Sequence, residues 1–185
     1  MEIRNKLESI NIINELKLNK FPEHLFKQNE QDKVKKFLEK NQAKYYAIRD
    51  KSKSNGIFKL KVEKKDVLKE IEEYKLFTIN VSSANYVKNQ LLVGEILISS
   101  NNEIYATLST DPSASVRDAT RNPTFNIKTN IFDNDMLKNI PYFDYVYNYI
   151  ASKKLENIIV EFALFNKEVG INKEKIIIYE LRTHY

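Results

Sequence analysis

Cysteine and tryptophan are absent from this chain of 185 residues, and histidine occurs only at His24 and His184. Without cysteine there is no disulfide framework, thiolate nucleophile, thiolate zinc site or iron–sulfur cluster. Two histidines do not make a His-rich metal site. Any chemistry must therefore rest on carboxylates, hydroxyls, amines, guanidinium groups or a cofactor. No apolar run approaches the roughly 20 residues that span a bilayer, and the start Met1-Glu2-Ile3-Arg4-Asn5 lacks the apolar core of a secretion signal. The expectation is a soluble, cytoplasmic protein without a membrane partner.

What is present argues for a packed fold. Hydrophobic residues make up 42% of the chain, and 11 tyrosines and 10 phenylalanines supply large side chains for a core. Thirty basic against 25 acidic residues give a formal charge of +5. The signs are well mixed, a balance that suits small anions such as phosphates as well as nucleic acid.

Ile3, Leu7, Ile10 and Ile13 recur at helical steps, and Val34, Phe37 and Leu38 do so after the break at Pro22. Asn29 reads as the N-cap of that second helix. Tyr46 and Ile48, then Phe58, Leu60 and Val62, alternate as in strands on either side of the polar loop Lys51–Gly56. Asp66–Tyr74 has helical spacing, and Leu76–Val81 is extended. Gln90–Ser99 and Glu103–Ser109 form a hairpin around Ser100-Asn101-Asn102, whose asparagines tolerate left-handed geometry. Thr110–Thr124 shows no apolar periodicity and reads as a functional or mobile loop. Phe125, Ile127 and Thr129 suggest a strand, Pro141 opens a helix through Leu155, and strands Ile158–Phe165 and Lys175–His184 close the chain across a connection that is long for a hairpin.

That order predicts an α+β fold. Two N-terminal helices (residues 1–43) precede a small β-β-α lobe (44–81) and a larger, mainly antiparallel sheet lobe with a packed helix (82–185).

The closing strands hold the most informative acids, because Glu161 and Glu180 each interrupt an apolar run and a lone buried carboxylate is costly. Paired on one face, they can share a divalent cation; pointing to solvent, or paired with lysine or arginine, they are ordinary surface groups. Glu180, Arg182 and His184 alternate on the last strand and so share a face, a set suited to a phosphate or carboxylate, or else a frayed terminus. Lys51, Lys53 and Gly56 lie in a loop that can present N–H groups and ammonium charge to phosphates, though it lacks Walker spacing. Arg49, Lys59 and Lys61 alternate near it as either a basic site or a solvated face. Arg117 in the Ser109–Asp118 segment is suited to bidentate contact with an anion. Alternatively, Arg117 and Arg121 pair with Asp111 or Asp118. The tyrosines at 142, 145, 147 and 149 fall on several sides of one helix, which favours packing over base stacking.

In combination these residues resemble the ATP-grasp superfamily, including its relatives in the nucleotide-binding part of phosphoenolpyruvate synthases and pyruvate phosphate dikinases. The resemblance covers about residues 44–185. Tyr45-Tyr46-Ala47-Ile48-Arg49 before the Lys51–Gly56 loop resembles the family's small-lobe strand and flexible loop. Gln90-Leu91-Leu92-Val93-Gly94-Glu95-Ile96 resembles the adenine-contacting strand with its acidic hairpin, and Glu161 and Glu180 fall where the family keeps its metal-binding acids. The family commonly has lysine where Arg49 stands and asparagine where Arg182 stands, and most members carry a further α/β domain ahead of the grasp lobes.

The resemblance implies ATP and Mg²⁺ as cofactors. Arg49, Lys51, Lys53, Gly56, Lys59, Gln90 and Glu95 would bind the nucleotide, Glu161 and Glu180 the metal, and Arg117 and Arg182 would steady transferring phosphate. It also implies a carboxylate ligase or phosphotransferase acting through an acyl phosphate on a small-molecule or protein substrate. Two readings stand beside it. A basic nucleic-acid-binding module would use Lys59, Lys61, Arg117 and Arg121. A non-catalytic interaction subunit, as an oligomer or with a partner chain, would dock through Ile3, Leu7 and Ile10.

Overall fold

A computed structural model describes residues 2–3, 5–52 and 57–183, except the side chains at 7 and 134. The expectations for Lys53, Gly56 and His184 lie outside the described residues. The chain divides into two compact units, one of residues 1–20 and 88–185, the other of residues 21–87.

In chain order the first half holds helix α1 (Lys6–Glu15), strand β1 (Glu23–Lys27), helix α2 (Gln31–Asn41), strands β2 (Tyr45–Asp50) and β3 (Phe58–Glu63), the short helix α3 (Val67–Glu70) and strand β4 (Leu76–Val81). The second half holds β5 (Gln90–Ile98), β6 (Glu103–Ser109), α4 (Val116–Arg121), β7 (Phe125–Asn130), α5 (Asn134–Lys138), α6 (Phe143–Ser152), β8 (Ile158–Val169) and β9 (Glu174–Thr183).

The smaller unit is an antiparallel sheet in the order β1-β4-β2-β3. Tyr46, Ala47 and Ile48 are all buried on its central strand, whereas on edge strand β3 Phe58 and Leu60 are exposed and only Val62 is covered. Helix α2 buries Val34 and Leu38, and Phe26, Phe37, Tyr46 and Phe77 form a chain of ring contacts. The Tyr46 hydroxyl donates to the Leu38 carbonyl at 3.2 Å and accepts from the Ala43 N–H at 3.2 Å, so this core phenol is satisfied. Helix α2 starts after Glu30, which makes no side-chain cap, rather than after Asn29.

The larger unit is an antiparallel sheet in the order β7-β6-β5-β8-β9. One face carries the main core, in which Leu92, Ile96, Ile104, Leu108, Val160, Phe162, Ile178 and Leu181 meet Leu137, Phe143, Val146 and Ile150 of α5 and α6. The turn after β5 is the expected one, with Asn102 at φ 61°. Helix α1 packs on β9, with Ile3 and Ile13 in the core, and the Leu181 N–H of that edge strand donates to Ser9 Oγ at 2.8 Å. Buried Asn19 then fixes the β8–β9 end. Its amide donates to the carbonyls of Val169 and Ile176, each at 2.9 Å, and its oxygen accepts from the Asn172 N–H at 2.9 Å.

The expected boundaries differ from these units. Residues 1–43 are not a helical segment of their own, because α1 belongs to the larger unit while β1 and α2 belong to the smaller one. Ile3 of the stripe expected to dock a partner is 4% exposed and belongs to the larger unit's core. The connection between the last strands is short, because β8 runs on to Val169 and Gly170 opens the turn at φ 76°.

Candidate functional site

Glu95, Glu161 and Glu180 stand directly opposite one another on β5, β8 and β9, forming an acidic row across three adjacent strands. A regular β9 would not deliver this row. Ile177 opposes Ala163, and strict alternation would carry that face on through positions 179 and 181. Instead the ladder passes from Phe162↔Ile178 to Glu161↔Glu180, leaving Tyr179 as an extra residue. Such a bulge reverses the alternation, turning Glu180 and Arg182 to the face of Glu161.

Arg182 reaches back across the row. Its Nη2 lies 2.5 Å from Glu95 Oε2 and 2.9 Å from Glu161 Oε1, and Lys6 Nζ of α1 lies 3.2 Å from Glu180 Oε2. Glu161 is the most enclosed of the three acids, with its side chain 20% exposed. Burial pushes its carboxyl above the ordinary carboxylate range, and the neighbouring Glu180 charge adds to the rise while Arg182 opposes it. The Arg182 Nε is buried with no hydrogen-bond partner.

Helix α4 brings a second guanidinium. Ser115 caps its N-terminus in a reciprocal box: the Asp118 N–H donates to Ser115 Oγ, and the Ser115 N–H donates to the Asp118 carboxylate at 2.9 Å. Hydrogen bonds from Ser115 hold the Asp118 carboxyl below its ordinary range. Gln90, brought to this region by a slip in the β5–β8 ladder, donates its amide to the Ala114 carbonyl at 2.8 Å and the Pro112 carbonyl at 3.2 Å. Gln90 thereby anchors the segment leading into α4. The result is a polar pocket of about 340 Å³ lined by Glu95, Val116, Arg117, Thr120, Glu161 and Arg182. Glu95 is shared with a second, mostly apolar cavity of about 310 Å³ that includes Leu97, Tyr105, Thr107, Ile127 and Ile159.

Of the expected site residues, then, Glu95, Arg117, Glu161 and Arg182 line one pocket, with Glu180 beside it in the acidic row. Thr120 and Lys6 were not anticipated. Thr120 follows Arg117 by one helical turn and could have been found had the Ser115-x-x-Asp118 box been read as a helix start. Lys6 meets Glu180 across 174 positions, a pairing that leaves no local signal.

The expected Mg²⁺ does not fit this row. Glu161 already pairs with Arg182, and Glu180 with Lys6. Among the described residues no group of three or more acidic or imidazole side chains is placed to hold a metal ion.

The remaining expected residues belong to the smaller unit. The Arg49 guanidinium lies 4.6 Å from the centre of the Phe58 ring. Lys59 pairs with Glu70, and Lys61 lies over the Tyr45 ring. The Lys51 N–H donates to the Leu76 carbonyl at 2.8 Å.

No protein-family model matches the sequence, and no curated protein matches it. Solved structures do. The macrocyclase MdnC bound with precursor peptide MdnA from Microcystis aeruginosa matches with a TM-score of 0.50 at 13% identity, covering 96% of this chain and 50% of that one. D-alanyl-alanine synthetase A from Vibrio cholerae gives a TM-score of 0.47 at 12% identity over 97% and 55% of the two chains. The N5-carboxyaminoimidazole synthase from Aspergillus clavatus, in complex with ADP and a ribonucleotide, gives 0.49 at 14% identity over 98% and 45%. The likeness to the macrocyclase is one of fold: this chain has an ATP-grasp-like α+β fold. It spans about half the length of the solved proteins it matches.

Proposed function

We propose that the chain is an ATP-binding, ATP-grasp-like domain that receives the nucleotide's phosphates in the pocket of Arg117 and Arg182. The observation that carries this reading is that Arg117 and Arg182 both line one open pocket. A planar guanidinium is suited to bidentate contact with phosphate oxygens. The acids Glu95 and Glu161 hold Arg182 in place, while Gln90 and the Ser115 box place α4, and with it Arg117.

In the ligase reaction proposed on this fold, a substrate carboxylate attacks the γ-phosphorus of ATP. The bond from that phosphorus to the bridging oxygen breaks, giving ADP and an acyl phosphate, and a nucleophile then displaces phosphate from the acyl carbon. Arg117 and Arg182 would balance the charge that accumulates on the transferring phosphoryl oxygens. The adjoining cavity, with Leu97, Tyr105 and Ile159 in its wall, is the proposed seat for an apolar portion of the carboxylate substrate.

Titration calorimetry with ATP tests the reading. The wild-type protein is expected to bind ATP, and Arg117→Ala to weaken binding at least tenfold, which corresponds to about 1.4 kcal/mol. An absence of binding heat at several temperatures, or unchanged affinity in Arg117→Ala, would remove the proposal.

A further inference from the structure

The acidic row poses an electrostatic problem that the chain solves internally. Three carboxylates on adjacent strands repel one another, and cross-strand like charges are destabilising unless something lies between them. The usual solution for such a set is a hard divalent cation with oxygen ligands. Here a side chain stands there instead. Arg182 bridges Glu95 and Glu161 at 2.5 and 2.9 Å, and Lys6 answers Glu180 at 3.2 Å. Three negative charges thus face two positive ones, and Arg117 lines the same pocket.

We propose that Arg182 is a built-in counter-cation that occupies the seat between Glu95 and Glu161, so that the acidic row takes up no divalent ion. Three features carry this inference. The Tyr179 bulge puts Arg182 on the acids' face, which an unbulged strand would not do. A guanidinium stays protonated at every pH at which the protein folds, so the seat does not open by deprotonation. An entering dication would have to separate Arg182 from both of its carboxylates and would then face Arg182 and Arg117 as like charges. Mg²⁺, which gives up its water reluctantly and demands close octahedral oxygens, is poorly suited to that exchange.

The proposal concerns the cation alone and is tested without nucleotide, so its failure is distinct from a failure of ATP binding. The probe is Mn²⁺, followed by the loss of its free-ion paramagnetic resonance signal. The wild-type protein is expected to leave the free Mn²⁺ signal unchanged up to millimolar ion. Arg182→Met, which removes the charge but keeps much of the stem, is expected to take up Mn²⁺ at least tenfold more tightly, and adding Glu161→Gln to that variant should abolish the gain. The wild type supplies a readout that does not depend on a variant folding: its Arg182 side-chain N–H resonance should remain unbroadened by Mn²⁺. Mn²⁺ uptake by the wild type that Glu161→Gln removes would overturn the proposal, as would Mn²⁺ broadening of the Arg182 resonance. A folded Arg182→Met protein that still binds no Mn²⁺ would also overturn it, because Arg182 would then be displacing nothing.

Discussion

At the scale of single residues, Glu161 carries the clearest electrostatic consequence. Its carboxyl is raised chiefly by burial, so the folded protein holds that proton more readily than the unfolded chain does. The sign follows by linkage. The group's contribution to stability is greatest below the ordinary carboxylate range and is lost as pH rises through the folded value. Carbon-detected NMR should therefore place the Glu161 titration above the ordinary carboxylate range, and Glu161→Gln should flatten the pH dependence of stability just above that range. A Glu161 midpoint at or below the ordinary value would contradict this account of the row.

Asn19 makes an independent prediction. Its buried amide serves the carbonyls of Val169 and Ile176, and its oxygen the Asn172 N–H. Replacing it by alanine strands several buried polar groups at once, so Asn19→Ala should cost about 2–3 kcal/mol, read from chemical denaturation. A loss below about 0.5 kcal/mol would mean that water replaces the side chain.

At the scale of elements, Gly94 controls how closely β5 and β6 approach. A Cβ there would fall 2.0 Å from the Thr107 carbonyl oxygen, a separation that only a backbone shift relieves. Gly94→Ala should lower the melting temperature by several degrees and also weaken ATP binding, because Glu95 is the next residue. Ser115→Ala acts on a smaller scale. Loss of the capping box should cost about 1 kcal/mol of stability and loosen α4 beneath Arg117. Hydrogen exchange confined to the segment before and within α4 would register it, and unchanged exchange there would contradict the role given to the box.

The elements also show what could be read before the structure. Helix α6 was legible because Phe143, Val146, Tyr147 and Ile150 recur at helical steps, and the hairpin of β5 and β6 because two apolar runs flank the Ser100-Asn101-Asn102 turn. Helix α4 was missed because its Ser-x-x-Asp box lies between two prolines in a stretch with a single buried residue, Ala119. Strand β1 was missed for a similar reason, since only Phe26 of its five residues is buried. The bulge at Tyr179 left no trace in the sequence at all. Alternation alone puts Glu180 and Arg182 together, but only the ladder shows that both share a face with Glu161.

At the scale of the whole molecule, the α+β class follows from element order, whereas the division into units depends on pairings far apart in sequence. Helix α1 joins the larger unit through β9, more than 160 positions away, and the β8–β9 turn through Asn19. A reading that moves along the chain meets α1 next to α2 and groups them. Among the described residues, no helix is long and apolar enough to cross a membrane. The ATP-grasp-like fold was anticipated from the closing acids and the strand order, and those same acids turned out to be engaged by Arg182 and Lys6. The fold thus keeps the acidic row while its charge balance is set by the chain itself.

The central claim is that phosphates are received at Arg117 and Arg182. It is tested most directly by titrating isotopically labelled protein with ATP and following amide and arginine side-chain resonances. The account predicts saturable shifts centred on Val116, Arg117, Thr120 and Arg182, with the acidic row perturbed alongside. ATP-induced shifts that bypass all of these residues would contradict it.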